Sequence, residues 1–106
     1  METELSQRFI VLLPDINIVE EVKFLKYLAD EGYNYWHHFP HVFLVKKKEN
    51  PIELSAFSKN LQSIFGNSRH LVFEINDEGK RSWSGFGPVG YDEKSMFSWL
   101  KEIWSK

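Results

Sequence analysis

The residue best placed to do chemistry is Asp15, at the end of Arg8-Phe9-Ile10-Val11-Leu12-Leu13-Pro14-Asp15. Five apolar residues run without a break and then stop at a proline and an acid. A carboxylate at the carboxyl end of a buried strand faces the water where a sheet opens, and its oxygens suit a hard cation such as Mg2+ or Mn2+. The competing role is structural: an acid at a strand-to-helix turn that accepts hydrogen bonds from local amides beside Asn17.

The other candidates are cations, imidazoles and rings. Lys46-Lys47-Lys48, and Lys80-Arg81 beside Trp83, are the places where nucleic-acid phosphate could be held; otherwise they are solvated charges that keep the domain soluble. His37, His38, His41 and His70 contain ligand chemistry for zinc. Adjacent His37 and His38 point to opposite faces of a strand, however, and a sheet surface that stacks its histidines on Trp36 or Phe39 explains them more simply. Tyr33, Tyr35, Trp36, Trp83 and Phe86 are flat enough to stack on bases, although rings in a small domain serve mostly as core or interface. Gly85-Phe86-Gly87-Pro88-Val89-Gly90 spells a dinucleotide fingerprint. No strand runs into it and no βαβ unit follows, so no dinucleotide cofactor is expected. No serine or threonine lies in a nucleophile motif.

The chain has 106 residues, enough for one domain, and nine Phe, four Trp and four Tyr supply a core. It has no cysteine, which excludes disulfides and thiolate metal sites. Thirteen basic residues against fifteen acidic give a net charge of −2. That balance lacks the basic excess usual in general nucleic-acid binding. No apolar run approaches the span of a bilayer, and Met-Glu-Thr-Glu lacks the basic start and apolar core of a signal peptide, so the chain reads as cytoplasmic.

The elements that must carry these residues follow from pattern. Strand one covers roughly 8–14. Asn17-Ile18-Val19-Glu20 forms a capping box, and the helix behind it sets Ile18, Val22, Leu25 and Ala29 on one stripe with Leu28 flanking, ending at Gly32. Residues 33–39 and 41–48 form a hairpin with Pro40 near its turn. His41-Val42-Phe43-Leu44-Val45 is a second continuous apolar run and so a second central strand. Asn50 caps the next helix, with Pro51 and Glu53 in its first turn and Leu54, Phe57, Leu61 and Ile64 or Phe65 inward, and Gly66 stops it. Leu71, Phe73 and Ile75 alternate with Val72, Glu74 and Asn76 in an edge strand. Asp92 caps a last helix carrying Met96, Phe97, Leu100, Ile103 and Trp104.

The order β-α-β-β-α-β is the split pattern of a ferredoxin-like domain. The expected fold is therefore α+β: a ferredoxin-like βαββαβ sandwich with core about 8–76 and an added C-terminal extension and helix over about 77–106. Two helices cover one sheet face, yet strands one and three are apolar on both. Leaving such side chains wet forgoes roughly 1.5–3 kcal/mol each. The second face needs a cover, either the C-terminal helix or a second copy, and a homodimer with the tail helix near the seam is expected.

Phe9-Ile10-Val11-Leu12-Leu13-Pro14-Asp15-Ile16 resembles the opening strand and acid of the small CRISPR-associated adaptation proteins of the "Cas two" type. His41-Val42-Phe43 falls where that family has a Ser-Val-Phe element. Trp36-His37-His38-Phe39 with Val42-Phe43-Leu44-Val45, and Trp83-Ser84-Gly85-Phe86 before Trp99-Leu100, look more like an uncharacterised bacterial sister group. The resemblance implies a ferredoxin-like homodimer. In the adaptation family, paired aspartates hold a divalent metal for phosphodiester hydrolysis, and the dimer also scaffolds duplex DNA. Only Asp15 carries over. Pro14 replaces an aromatic, His41 a serine, and Glu20-Glu21 an arginine-rich helix start. The apolar central strands, the mild acidity and these departures together favour a non-enzymatic, homodimeric scaffold without a cofactor, related to nucleic acid or defence. The alternatives are a Mg2+- or Mn2+-dependent ribonuclease or deoxyribonuclease using Asp15 of each subunit, and a small immunity or inhibitor protein for a basic partner.

Overall fold

The computed structural model describes residues 7–75 and 99–104. The elements are β1 (Gln7–Leu12), α1 (Ile18–Asp30), β2 (Asn34–Phe39), β3 (Val42–Lys47), α2 (Leu54–Phe65), β4 (Leu71–Ile75) and a π-helical turn over Leu100–Trp104. The fold is α+β. The four strands form one antiparallel sheet in the order β2-β3-β1-β4, so the two continuous apolar runs occupy its inner positions.

One face of the sheet carries α1 and α2. Phe9 and Val11 of β1 and Phe43 and Val45 of β3 are fully buried there against Phe24 and Leu28 of α1 and Phe57, Leu61 and Phe65 of α2. The rings interlock: Phe9 lies 4.4 Å from Phe57, and Phe24 meets Phe43 edge-on at 5.0 Å. Such pairs add specific geometry to the area that they remove from water.

The capping box forms as the sequence predicts. Glu20 N donates to Asn17 Oδ1 at 2.8 Å, and Asn17 N donates to Glu20 Oε1 at 3.3 Å. The stripe behind it is different. Phe24 and Leu28 face the sheet, with Leu25 partly buried, while Ile18 and Val22 are 73% and 60% exposed and Ala29 also faces solvent. On a helix advancing about 100° per residue these two sets cannot share a face. The set holding a phenylalanine buries more apolar area and wins the contact.

The start of α2 is also displaced. The N-cap is Glu53, without a side-chain cap bond, and Asn50 instead adopts φ 55° in the turn after β3. Asparagine tolerates this left-handed region better than most residues. The stretch before the helix is held to β1: Gln7 Nε2 donates to Ile52 O at 2.7 Å, and Ile52 N donates to Gln7 Oε1 at 2.8 Å. Gly66, at φ 60°, ends the helix as expected.

Cross-strand partners point to the same face of a sheet, and every second residue shares that face. The register therefore resolves the second face into three rows. They are Asn34–Lys46–Arg8–Ile75, then Trp36–Leu44–Ile10–Phe73, then Phe39–Val42–Leu12–Leu71. The C-terminal turn covers one end. Leu100 and Trp104 pack on Trp36, with Leu44, Ile75 and Trp99 beside them. Arg8 Nε donates to Trp104 O and Lys46 Nζ to Ile103 O, so the two cations engage carbonyls of the turn. The third row is apolar throughout and its ends are open: Phe39 is 50% exposed and Leu71 52%, and the adjoining Phe73 is 50% exposed. The expected Asp92 cap, Met96 and Phe97 lie outside the described residues. Among the described residues no helix is long and apolar enough to cross a membrane.

Candidate functional site

Asp15 sits where β1 leaves the sheet. Leu13 N donates to His41 O at 2.9 Å, and His41 Nδ1 lies 3.0 Å from Leu13 O, which ties the end of β1 to the β2–β3 turn. Pro14 has no amide proton with which to continue the ladder. Asp15 then turns toward the loop between α2 and β4. Its carboxylate is held in a two-pronged ion pair: Arg69 Nε donates to Oδ2 at 2.7 Å and Arg69 Nη2 to Oδ1 at 2.8 Å. The Arg69 amide adds a third bond, to Oδ2 at 3.2 Å. The guanidinium, then the amide, hold the Asp15 carboxyl down at about 2. The pair reciprocally raises the pKa of Arg69.

This geometry fits the structural role of Asp15. Both oxygens accept from Arg69, so a cation would have to displace a planar bidentate partner before it met the carboxylate. The partner is Arg69 and not an amide next to Asn17. A second link runs beside it, with Ser68 Oγ donating to Glu20 Oε2 at 2.9 Å. The loop before β4 is thus tied both to the loop before α1, through Asp15, and to the first turn of α1, through Glu20. Among the described residues no group of three or more His, Asp or Glu side chains converges on one point.

The histidines are engaged separately. His37 stacks flat on Phe43 at 3.8 Å, with Nδ1 3.0 Å from Val42 O and Nε2 3.7 Å from a Glu21 oxygen. His38 packs on Trp36 at 5.0 Å. His70 Nε2 lies 2.7 Å from Ser58 Oγ and joins the residue before β4 to α2.

The lysine run does not present one basic surface. Lys46 is fully buried under the C-terminal turn, which corrects its reading as a phosphate contact. Burial first, then the charges of Arg8 and Lys48, push the Lys46 ammonium down to about 8. Lys47, on the opposite face, lies 4.6 Å above the Tyr33 ring and donates to Glu31 O at 3.4 Å. Only Lys48 is exposed. Three consecutive lysines on a strand cannot share a face, and here they meet a carbonyl, a ring and water. Lys80 and Arg81 lie outside the described residues.

Arg69 is the site residue that the sequence reading misses. Its signal is topological: Leu12 pairs with Leu71, so residues just past β1 meet residues just before β4. An acid three residues after Leu12 and a base two residues before Leu71 are therefore brought to the same sheet corner. The corner opens on an apolar cleft of about 510 Å³ whose lining includes Leu12, Pro14, His41, Val42, Arg69 and Leu71. No family model, curated protein or solved structure matches this chain.

Proposed function

We propose that this chain is a ferredoxin-like interaction module that works as a homodimer and scaffold, not as a catalyst. The observation that carries the reading is the open apolar surface on the β4 side of the second sheet face, where Leu71 and Phe73 are half exposed beside Leu12. A contiguous apolar surface with polar residues at its rim is the usual composition of a protein contact. The reading is also supported by the closure of Asp15 on Arg69 and by the burial of Lys46, which weaken metal chemistry and phosphate binding respectively. Kinship with the adaptation-like group belongs to this proposal and rests on the motif resemblance together with the strand order.

Light scattering across a concentration series tests the reading. The expected mass is twice the 12.6 kDa of one chain. Single- and double-stranded RNA and DNA incubated with Mg2+ or Mn2+ should stay intact. Cleavage that disappears in Asp15→Ala would overturn the non-enzymatic reading.

A further inference from the structure

We infer that two copies join edge to edge through β4, antiparallel, with the two-fold axis passing at Val72; the inference rests on the self-association proposed above. Among the described residues the sheet has two edge strands, β2 and β4. They differ in how they meet solvent. β2 carries a register irregularity between Trp36 and Phe39. Such a bulge discourages addition of another strand. β4 has none. Its five residues pair with β1 without a break, and it contains no Pro, Lys or Arg. An unbroken edge whose Leu71 and Phe73 are half exposed is a template for pairing.

The occupant that fits is a second β4, because the strand complements itself. In a two-fold antiparallel pair one residue faces its own copy. Centred on Glu74, the seam would set two carboxylates face to face, and like charges directly opposed destabilise a sheet. Centred on Phe73, it would set Val72 against the partner's Glu74. Centred on Val72, it sets Leu71 against the partner's Phe73 on one face and, if pairing runs one residue past the strand, His70 against the partner's Glu74 on the other. That register pairs aliphatic with aromatic and base with acid. Beside α2 the seam has room: a groove of about 450 Å³ is lined by Leu54, the small Ser55 and Ser58, His70, Leu71 and Val72. Apolar surface thus flanks the seam above and below the sheet.

The chain lacks cysteine, so introduced thiols report without background. Directly opposed residues in an antiparallel pair have Cα atoms about 4.5–5.5 Å apart, within the range that a disulfide spans. Leu71→Cys chains mixed with Phe73→Cys chains under mild oxidation should give a covalent dimer at least several-fold faster than either variant alone. Both side chains are half exposed, so the substitutions leave the core intact. Phe73→Cys cross-linking alone as fast as the mixture would overturn the Val72 register. No cross-link in the mixture while both variants still sediment as dimers would overturn the seam and leave self-association standing. Monomers throughout would overturn both.

Discussion

Arg8 and Lys46 lie directly opposite each other on β1 and β3, both buried, and both donate to carbonyls of the C-terminal turn. Two like charges at one cross-strand position are unfavourable by themselves. Here they meet the carbonyl end of a helical turn, where the backbone dipoles favour cations. The arrangement fixes the tail over the first row of the second face, while the aliphatic positions further along β1 and β3 continue toward the open side.

The Lys46 ammonium gives this arrangement a pH dependence. Its pKa falls from 10.5 in the ordinary state to about 8 in the folded chain. The folded state therefore holds the charged form at a cost that is full below pH 8. The cost shrinks as pH rises from 8 to 10.5, so the Lys46 contribution to stability improves through that window. Urea unfolding of the wild-type chain and Lys46→Met across pH 7 to 11 isolates the effect. The wild type should gain on the order of 2–3 kcal/mol relative to the variant. A constant difference would place the ammonium in water.

The two faces of α1 make opposite predictions. Phe24→Ala should cost about 3–5 kcal/mol, the usual penalty for truncating a fully buried ring. Val22→Ala should fall within about 0.5 kcal/mol of wild type, apart from a small gain in helix propensity. Equilibrium unfolding of the two variants checks the assignment. The opposite ranking would restore the Ile18–Val22–Leu25–Ala29 stripe as the core face.

Asp15 should behave as a structural carboxylate. Its folded-state pKa lies below the unfolded value, so its stabilising contribution is present above about pH 4 and is lost as pH falls toward 2. Asp15→Asn should be less stable than wild type at neutral pH, and the gap should close as the solution is acidified. Arg69→Ala should show the same dependence, and the double variant should add little further loss. Additive losses would mean that the two side chains act independently.

Much of this architecture was legible in the chain. The unbroken apolar runs of β1 and β3 located the inner strands, because only a strand covered on both faces can carry apolar residues at every position. Asn17 and Glu20 located the start of α1, since both ends of their reciprocal bonding are local. The misses share a physical cause. The stripe of α1 depended on which of two apolar faces met the sheet, and Phe24 decided that through long-range burial. The cap expected at Asn50 was lost to Gln7, a partner 45 residues from Ile52. At the candidate site, Asp15 was visible and Arg69 was not, because their pairing exists only once β4 lies beside β1. The burial of Lys46 likewise depends on a turn 57 residues away.

In the proposed dimer, the open surface around Leu71 and Phe73 joins two copies of the chain. Sedimentation equilibrium of the wild type beside Leu71→Lys tests it most directly, because a charge at a half-exposed edge position opposes strand addition while sparing the core. The wild type should sediment at twice 12.6 kDa, and Leu71→Lys should shift to a single chain with an unchanged circular dichroism spectrum. A wild-type chain that sediments as a monomer at every concentration, or a variant that dimerises as tightly as wild type, would contradict it.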